Sequence, residues 1–188
     1  YDASGDPAYV ATGSDGQVLT SAGAGAAPTF EALPSSGKVL QVKQVVKLDT
    51  ATTTSAHGTY ADISGMSLAI TPSASNSKIL VLVNGATSPA NNNYSIAVNL
   101  VRGSTSIFIA NSRSSATRTS DWGLCQSNQN NSVNIVYLDS PSTTGATTYK
   151  IQMASEQGNT ALFGGSYSSG SASNGSVPGS IILMEIGA

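Results

Sequence analysis

Three features of the 188-residue sequence predict an all-β fold, an antiparallel β-sandwich of jelly-roll type. Short runs of alternating apolar residues recur at about 10-residue spacing, divided by Ser, Asn and Gly turns. No run carries the 3.6-residue period of a helix, and no stretch of Ala, Leu, Glu and Lys is free of breakers. Charged residues make up 10% of the chain, against about 25% in an average soluble protein, while hydrophobic residues reach 39%, enough to fold.

The elements follow in order. Residues 1–36 are rich in Gly, Ala, Ser and Thr, with Val18, Leu19 and Phe30 as sparse apolar points. They cannot bury enough surface alone to offset their ordering entropy. From Gly37 the pattern turns to strands. In "KVLQVKQVVKLD", Leu40 and Val42 share a face, and parity slips at Val45-Val46 as a β-bulge would cause. Ile63 begins a short strand, and Met66, Leu68 and Ile70 alternate until Pro72. Ile79 to Val83 are apolar at every position, so this strand needs cover on both faces, and a neighbouring subunit is one candidate. Tyr94, Ile96, Val98 and Leu100 alternate cleanly. "TSIFIAN" is the hairpin partner across "RGS". Val133, Ile135 and Tyr137 form one apolar face, and Tyr149, Ile151 and Met153 another. "TALFG" reads as a short edge. "SIILMEIG" is too apolar for a free edge and must be central or interfacial.

Composition excludes several function classes. The formal net charge is −2 with no Lys/Arg cluster, which argues against a nucleic-acid partner. No apolar run approaches the roughly 18 residues of a membrane-spanning helix. Beginning at Tyr1 without a charged and apolar leader, the chain is expected to be a processed or truncated piece of something longer. One cysteine, Cys125, permits no internal disulfide and is expected to be a buried small side chain. The single histidine, His57, sits in a turn without neighbouring ligands, so neither a metal site nor any other cofactor is expected. The acids Asp49, Asp62, Asp121, Asp139 and Glu156 are scattered among turn residues, and Asp139 before Ser140-Pro141 is ordinary turn chemistry. No catalytic motif is present, and the expectation is a protein that is not an enzyme.

Three polar loops are more informative: Ser88–Asn93, Asn111–Asn131 and Gly164–Gly179. The middle one places Trp122, the only tryptophan, beside Asp121, with Arg113 and Arg118 nearby. An amphipathic aromatic among amides, acids and arginines suits a sugar, whose apolar face covers the ring while its hydroxyls bond the polar groups. Candidate contacts are Trp122, Asp121, Arg113 and Arg118, with Asn91 and Asn92 from the first loop and Tyr167 from the third. The alternative is that Trp122 and Leu124 form a short buried strand and the arginines lie on a solvated face.

The stretch "GSDGQVLTSAGAGAAPTFEAL" resembles a module of bacteriophage tail and capsid fibre proteins. It carries Gly13, Gly16-Gln17-Val18-Leu19, Ser21, Gly23, Gly25 and Pro28-Thr29-Phe30, with Phe30 where the family often has Trp. Later pieces are similar to phage fibre heads: "KVLQVKQVVK", "ITPSASNSKILVLV", "LVRGSTSI", "YLDSPSTTGATTYKIQ" and "IILMEIGA". The resemblance implies a homotrimeric virion protein without enzymatic activity. Residues 1–36 would be an extended, intertwined neck in which Val18, Leu19 and Phe30 pack against two other copies. Residues 37–188 would be a head that binds the host surface, a glycan above all. Other virion fibre or baseplate proteins would attach through an N-terminal part. A structural fibre or capsid decoration without receptor binding and a polysaccharide depolymerase are the competing readings.

Overall fold

The structure is a computed structural model that describes residues 9–33, 38–90, 94–111, 113–114, 116–125, 129–166 and 175–187. The chain divides into two units, Tyr1–Ser36 and Gly37–Ala188.

In the first unit, β1 (Gln17–Thr20) and β2 (Thr29–Ala32) pair as an antiparallel hairpin. Gly23 and Gly25 take φ of 102° and 81° in the connection, a left-handed backbone that residues with a Cβ adopt only under strain. The segment therefore folds back on itself where the sequence reading expected an extended neck. Leu19 lies opposite Phe30, so these two share one face, while Val18 lies opposite Glu31 on the other. The Phe30 ring rests on Gly13, where a Cβ would come within 2.5 Å of it. Leu19 and Phe30 remain exposed and Val18 is half-buried. A two-stranded hairpin with so little burial is marginal alone.

The second unit is an antiparallel β-sandwich. One sheet runs β3 (Val39–Lys47), β13 (Gly179–Ile186), β6 (Lys78–Pro89) and β10 (Asn131–Asp139). Beyond the end of β13, the remainder of β6 pairs with β12 (Ala161–Phe163), which in turn pairs with β4 (Ala51–Thr53). The other sheet runs β5 (Ala61–Ile70), β11 (Thr147–Ser155) and β7 (Tyr94–Arg102), with β8 (Thr105–Ile107) and β9 (Asp121–Cys125) sharing the far edge of β7. The chain crosses repeatedly between the sheets, which is the connectivity of a jelly roll.

One core joins the inward faces. Ile79, Val81 and Val83 of β6, Ile181 and Leu183 of β13 and Val133 and Ile135 of β10 meet Met66, Ile70, Ile96, Leu100, Tyr149, Ile151 and Met153 of the opposite sheet. Burying each such side chain contributes about 1.5–3 kcal/mol. Two carboxylates pin the rims. Asp139, buried at the end of β10, accepts the Tyr149 hydroxyl at 2.6 Å and Arg102 Nη1 at 2.8 and 2.9 Å, clasping one sheet to the other. This replaces the turn role expected of it. Glu185, buried on β13, accepts Ser73 N at 2.7 Å, Ser73 Oγ at 2.6 Å and the Gln41 amide.

Several local expectations need correction. The β3 bulge does not fall at Val45-Val46, which simply alternate. The register shift lies between Glu185 and Ile186 of the partner strand β13. Lys43 and Lys47 share the parity of Val45, and Lys47 can sit there because its Nζ reaches Asp49 at 3.0 Å. β5 is one strand from Ala61, and Ile63 and Met66 both point inward. An irregularity around Gly65, with φ of 81° and a register jump opposite Lys150–Gln152, puts Ile63 to Met66 against Ile151 alone and so changes the parity. β12 is no edge. It lies between β6 and β4, with Phe163 fully buried against Gly85 and Gly179, at each of which a Cβ would come within 2.4 Å of the ring.

Candidate binding site on the outer face

Pairing of β9 with β7 sets Trp122 beside Ala97 and Leu124 beside Ser95. Strand alternation turns both side chains to the outside of the sandwich, because Ile96 and Val98 of β7 take the core. Trp122 is 46% exposed and Leu124 70%, so the pair is a surface feature rather than core. The Cys125 side chain, expected to be buried, falls outside those described.

The β4–β5 connection folds over this face. Ala56 bridges in parallel to Ser155, and Ser155 N donates to Ser55 O at 2.8 Å. Gly58, with φ of 91°, turns the loop back. The result sets the His57 ring against Trp122, with centroids 4.7 Å apart and planes tilted by 52°. His57 Nε2 lies 3.2 Å from Ser95 O. Glu156 follows Ser155 and accepts Ser95 N at 3.2 Å and Ser95 Oγ at 2.9 Å. These two Ser95 bonds, backbone first, hold its carboxyl below the ordinary carboxylate value, and the nearby His57 adds to the effect. An exposed indole, an imidazole and an ionised carboxylate thus stand together at one end of the sheet.

The residues anticipated beside Trp122 have different surroundings. Asp121 accepts Trp122 N at 2.7 Å and Asn134 N at 3.3 Å, so its carboxylate caps backbone where β9 approaches β10. Arg118 donates Nε to Ala110 O at 2.7 Å and holds its own loop, while its carbonyl accepts the Tyr60 hydroxyl at 3.2 Å. Arg113 is exposed, and its carbonyl closes a turn with Ala116 N at 3.0 Å. Asn91, Asn92 and Tyr167 lie outside the described residues. The sequence reading missed His57 and Glu156 as companions of Trp122. No local signal marks them, since the bridge at Ala56–Ser155 joins segments a hundred residues apart.

A second aromatic pair, Phe108 and Tyr137, has centroids 4.9 Å apart. Phe108 takes φ of 53° and borders a shallow cavity of about 270 Å³ with Ile109, Ala110, Thr119 and Ser120. Among the described residues, no cluster of three or more His, Cys, Asp or Glu could hold a metal ion.

Fold and site together define an antiparallel β-sandwich protein carrying an aromatic–carboxylate patch on its outer surface. No family model and no curated relative matches the chain. Solved structures with a related arrangement come from infectious bursal disease virus. The Gt strain structure is 10% identical with a TM-score of 0.44, covering 92% of this chain and 43% of that one. The crystal structure of the viral particle is 12% identical with a TM-score of 0.43, covering 86% and 38%. The VP2 subviral particle is 8% identical with a TM-score of 0.38, covering 92% and 43%. The chain thus spans less than half the length of the proteins it is similar to.

Proposed function

We propose that this chain is the distal part of a bacteriophage fibre, a homotrimeric protein of the virion surface whose head binds a host-surface glycan. The module-like stretch Gly13–Phe30 supports the fibre setting, as does a jelly-roll head, an architecture used by capsid and lectin domains. The observation that carries the binding role is the exposed Trp122 ring packed against His57, whose Nε2 lies 3.2 Å from the O of Ser95, the residue that also holds the Glu156 carboxylate. A pyranose stacks its C–H face on the indole and donates hydroxyls to the carboxylate. Three weak sites acting together supply avidity without a deep pocket.

Binding of the full chain to susceptible cells and to their purified surface polysaccharide tests this reading. Trp122→Ala is expected to weaken binding at least about 10-fold with folding unchanged, in line with the loss of a stacking aromatic. Equal binding by the variant removes Trp122 from the site. No binding to any susceptible strain favours the structural fibre reading, and release of reducing ends favours the depolymerase.

A further inference from the structure

The two sheets present very different outer faces. On the β5–β11–β7 sheet, Asp62 accepts Lys150 Nζ at 2.8 Å and Gln152 Nε2 at 2.7 Å, and Ser67 and Ala69 are exposed. The β5 end of that face is thus polar and solvated, while Ala97, Asn99 and Val101 of β7 are buried and Trp122 and Leu124 lie beside β7 at its edge. On the other sheet, strand register lines up three outward rows. Val42, Met184, Leu80 and Leu138 form one, and Gln44, Ile182, Leu82 and Val136 the next. Val46, Ser180, Asn84 and Asn134 form the third. None of these positions carries a charge, and the first two rows are aliphatic except for Gln44. Val136 is 66% exposed, Val42 55% and Leu138 49%.

We infer that this face of β3, β13, β6 and β10 is the surface through which copies of this chain associate; the inference rests on the trimeric reading above and places its interface. With Val39 and Leu40 at the β3 end, the exposed apolar surface is on the order of 500 Å². That is near the upper limit for the largest patch on a monomer, and it matches the apolar centre of an interface burying about 800 Å² per partner. The chemistry selects the occupant. A sugar would need aromatic rings, and the rows hold none. A lipid surface would call for interfacial Trp or Tyr and a Lys/Arg rim, also missing from the rows. Lys78, in line with Val39 and Ile186, borders the field with a single charge whose Nζ is bonded to Ser140 Oγ at 3.0 Å, which offers a charged partner little. A second copy offers the same uncharged aliphatic field, and the flanking amides of Gln44, Asn84 and Asn134 can bond across it. The free edge of β10 is in part occupied, since Asn134 N donates to Asp121, so association through the face is favoured over strand addition there.

Sedimentation equilibrium of the full chain tests the inference with Val136→Glu on this face and Ser67→Glu on the other sheet. The expected result is an oligomer for wild type and Ser67→Glu. Val136→Glu should dissociate at least about 100-fold more readily while keeping its near-ultraviolet circular dichroism, because a carboxylate would be buried unpaired. If Val136→Glu fails to fold, Val136→Ser takes its place, with a weakening of about 10-fold expected. Unchanged association by the folded variant overturns this placement and leaves the trimer standing, held elsewhere. A monomeric wild type at micromolar concentration overturns both.

Discussion

Truncating Asp139 should be among the most damaging single changes in the sandwich. Its side chain is 5% exposed and receives the Tyr149 hydroxyl and Arg102 Nη1 from the opposite sheet. Burial, with this carboxylate beside it, pushes the Tyr149 phenol far above its ordinary value, so the phenol stays protonated and donates. Asp139→Ala removes the charge-assisted hydrogen bonds from two donors, the Tyr149 hydroxyl and the forked Arg102 Nη1, each donor contributing about 1.5–3 kcal/mol. It also strands a phenol that is 0% exposed and cannot reach water. Arg102, with a side chain 30% exposed, can turn toward solvent, which reduces the penalty. The expected loss is about 3–4 kcal/mol, toward the lower end for breaking a buried pair. For a unit of this size that lowers Tm by about 10 °C. Tyr149→Phe keeps the Arg102–Asp139 pair and should cost about 1–2 kcal/mol. Urea denaturation of both variants and of the double variant gives the coupling, expected to exceed about 1 kcal/mol. Losses for Asp139→Ala no larger than for Tyr149→Phe, or strict additivity, would refute the clasp.

Other expected outcomes concern the rim, the core and the hairpin. Burial acts to raise the Glu185 carboxyl, but hydrogen bonds from Gln41 and Ser73 hold it at about 2 against an ordinary 4.5. Because the folded value is the lower one, its stabilisation is present above pH 4.5 and lost as pH falls toward 2. Glu185→Gln should therefore flatten the loss of stability across that window in acid-dependent urea titrations, and an unchanged slope would count against the network. Gly85→Ala should destabilise by about 1–3 kcal/mol through overpacking against Phe163, with partial rescue by Phe163→Leu, measured by thermal unfolding. A neutral Gly85→Ala would mean the ring moves freely there. Gly13→Ala should displace the Phe30 ring, seen as a change in its NMR shifts, while leaving the unfolding of the sandwich unaltered.

Much of the sandwich was legible in sequence because strand patterns are local. The alternation in "SVNIVYLDSP" and "TTYKIQMASE" follows from the two-residue period of a strand with its apolar face on the core, while "NYSIAVNLVRG" alternates in residue type although Ser95, Ala97, Asn99 and Val101 of its other face are buried too. The two adjacent valines Val45 and Val46 are where the pattern misleads. Leu40 and Val42 followed by the adjacent pair Val45-Val46 suggest a slip, but β3 keeps its alternation there with Val45 and Lys47 on one parity, and the contact of Lys47 with Asp49 makes that position tolerable. β12 looked like an edge because its three apolar residues are few; its central place comes from β6 extending past the end of β13.

The site shows the same division more sharply. Sequence singled out Trp122 by residue type and left open whether it was core or surface. Register settled that question, since pairing with Ala97 sends the ring outward. Its companions were beyond any sequence window. His57 and Glu156 reach Trp122 and Ser95 through a parallel bridge, and a side-chain pairing of that range leaves no periodic trace.

The sequence by itself determined the all-β class, the order of the main strands and which residues of β10 and β11 face the core, because hydrophobic alternation and turn chemistry act within a few residues. It also marked Ile79–Val83 as a strand apolar on both sides. Tertiary structure alone decided which strands stand side by side, and therefore which side chains share a surface. By that pairing Leu80 and Leu82 join Val136, Leu138, Ile182 and Met184 in one uncharged field, while the Asp121 carboxylate is spent on the backbone of Trp122 and of the neighbouring strand.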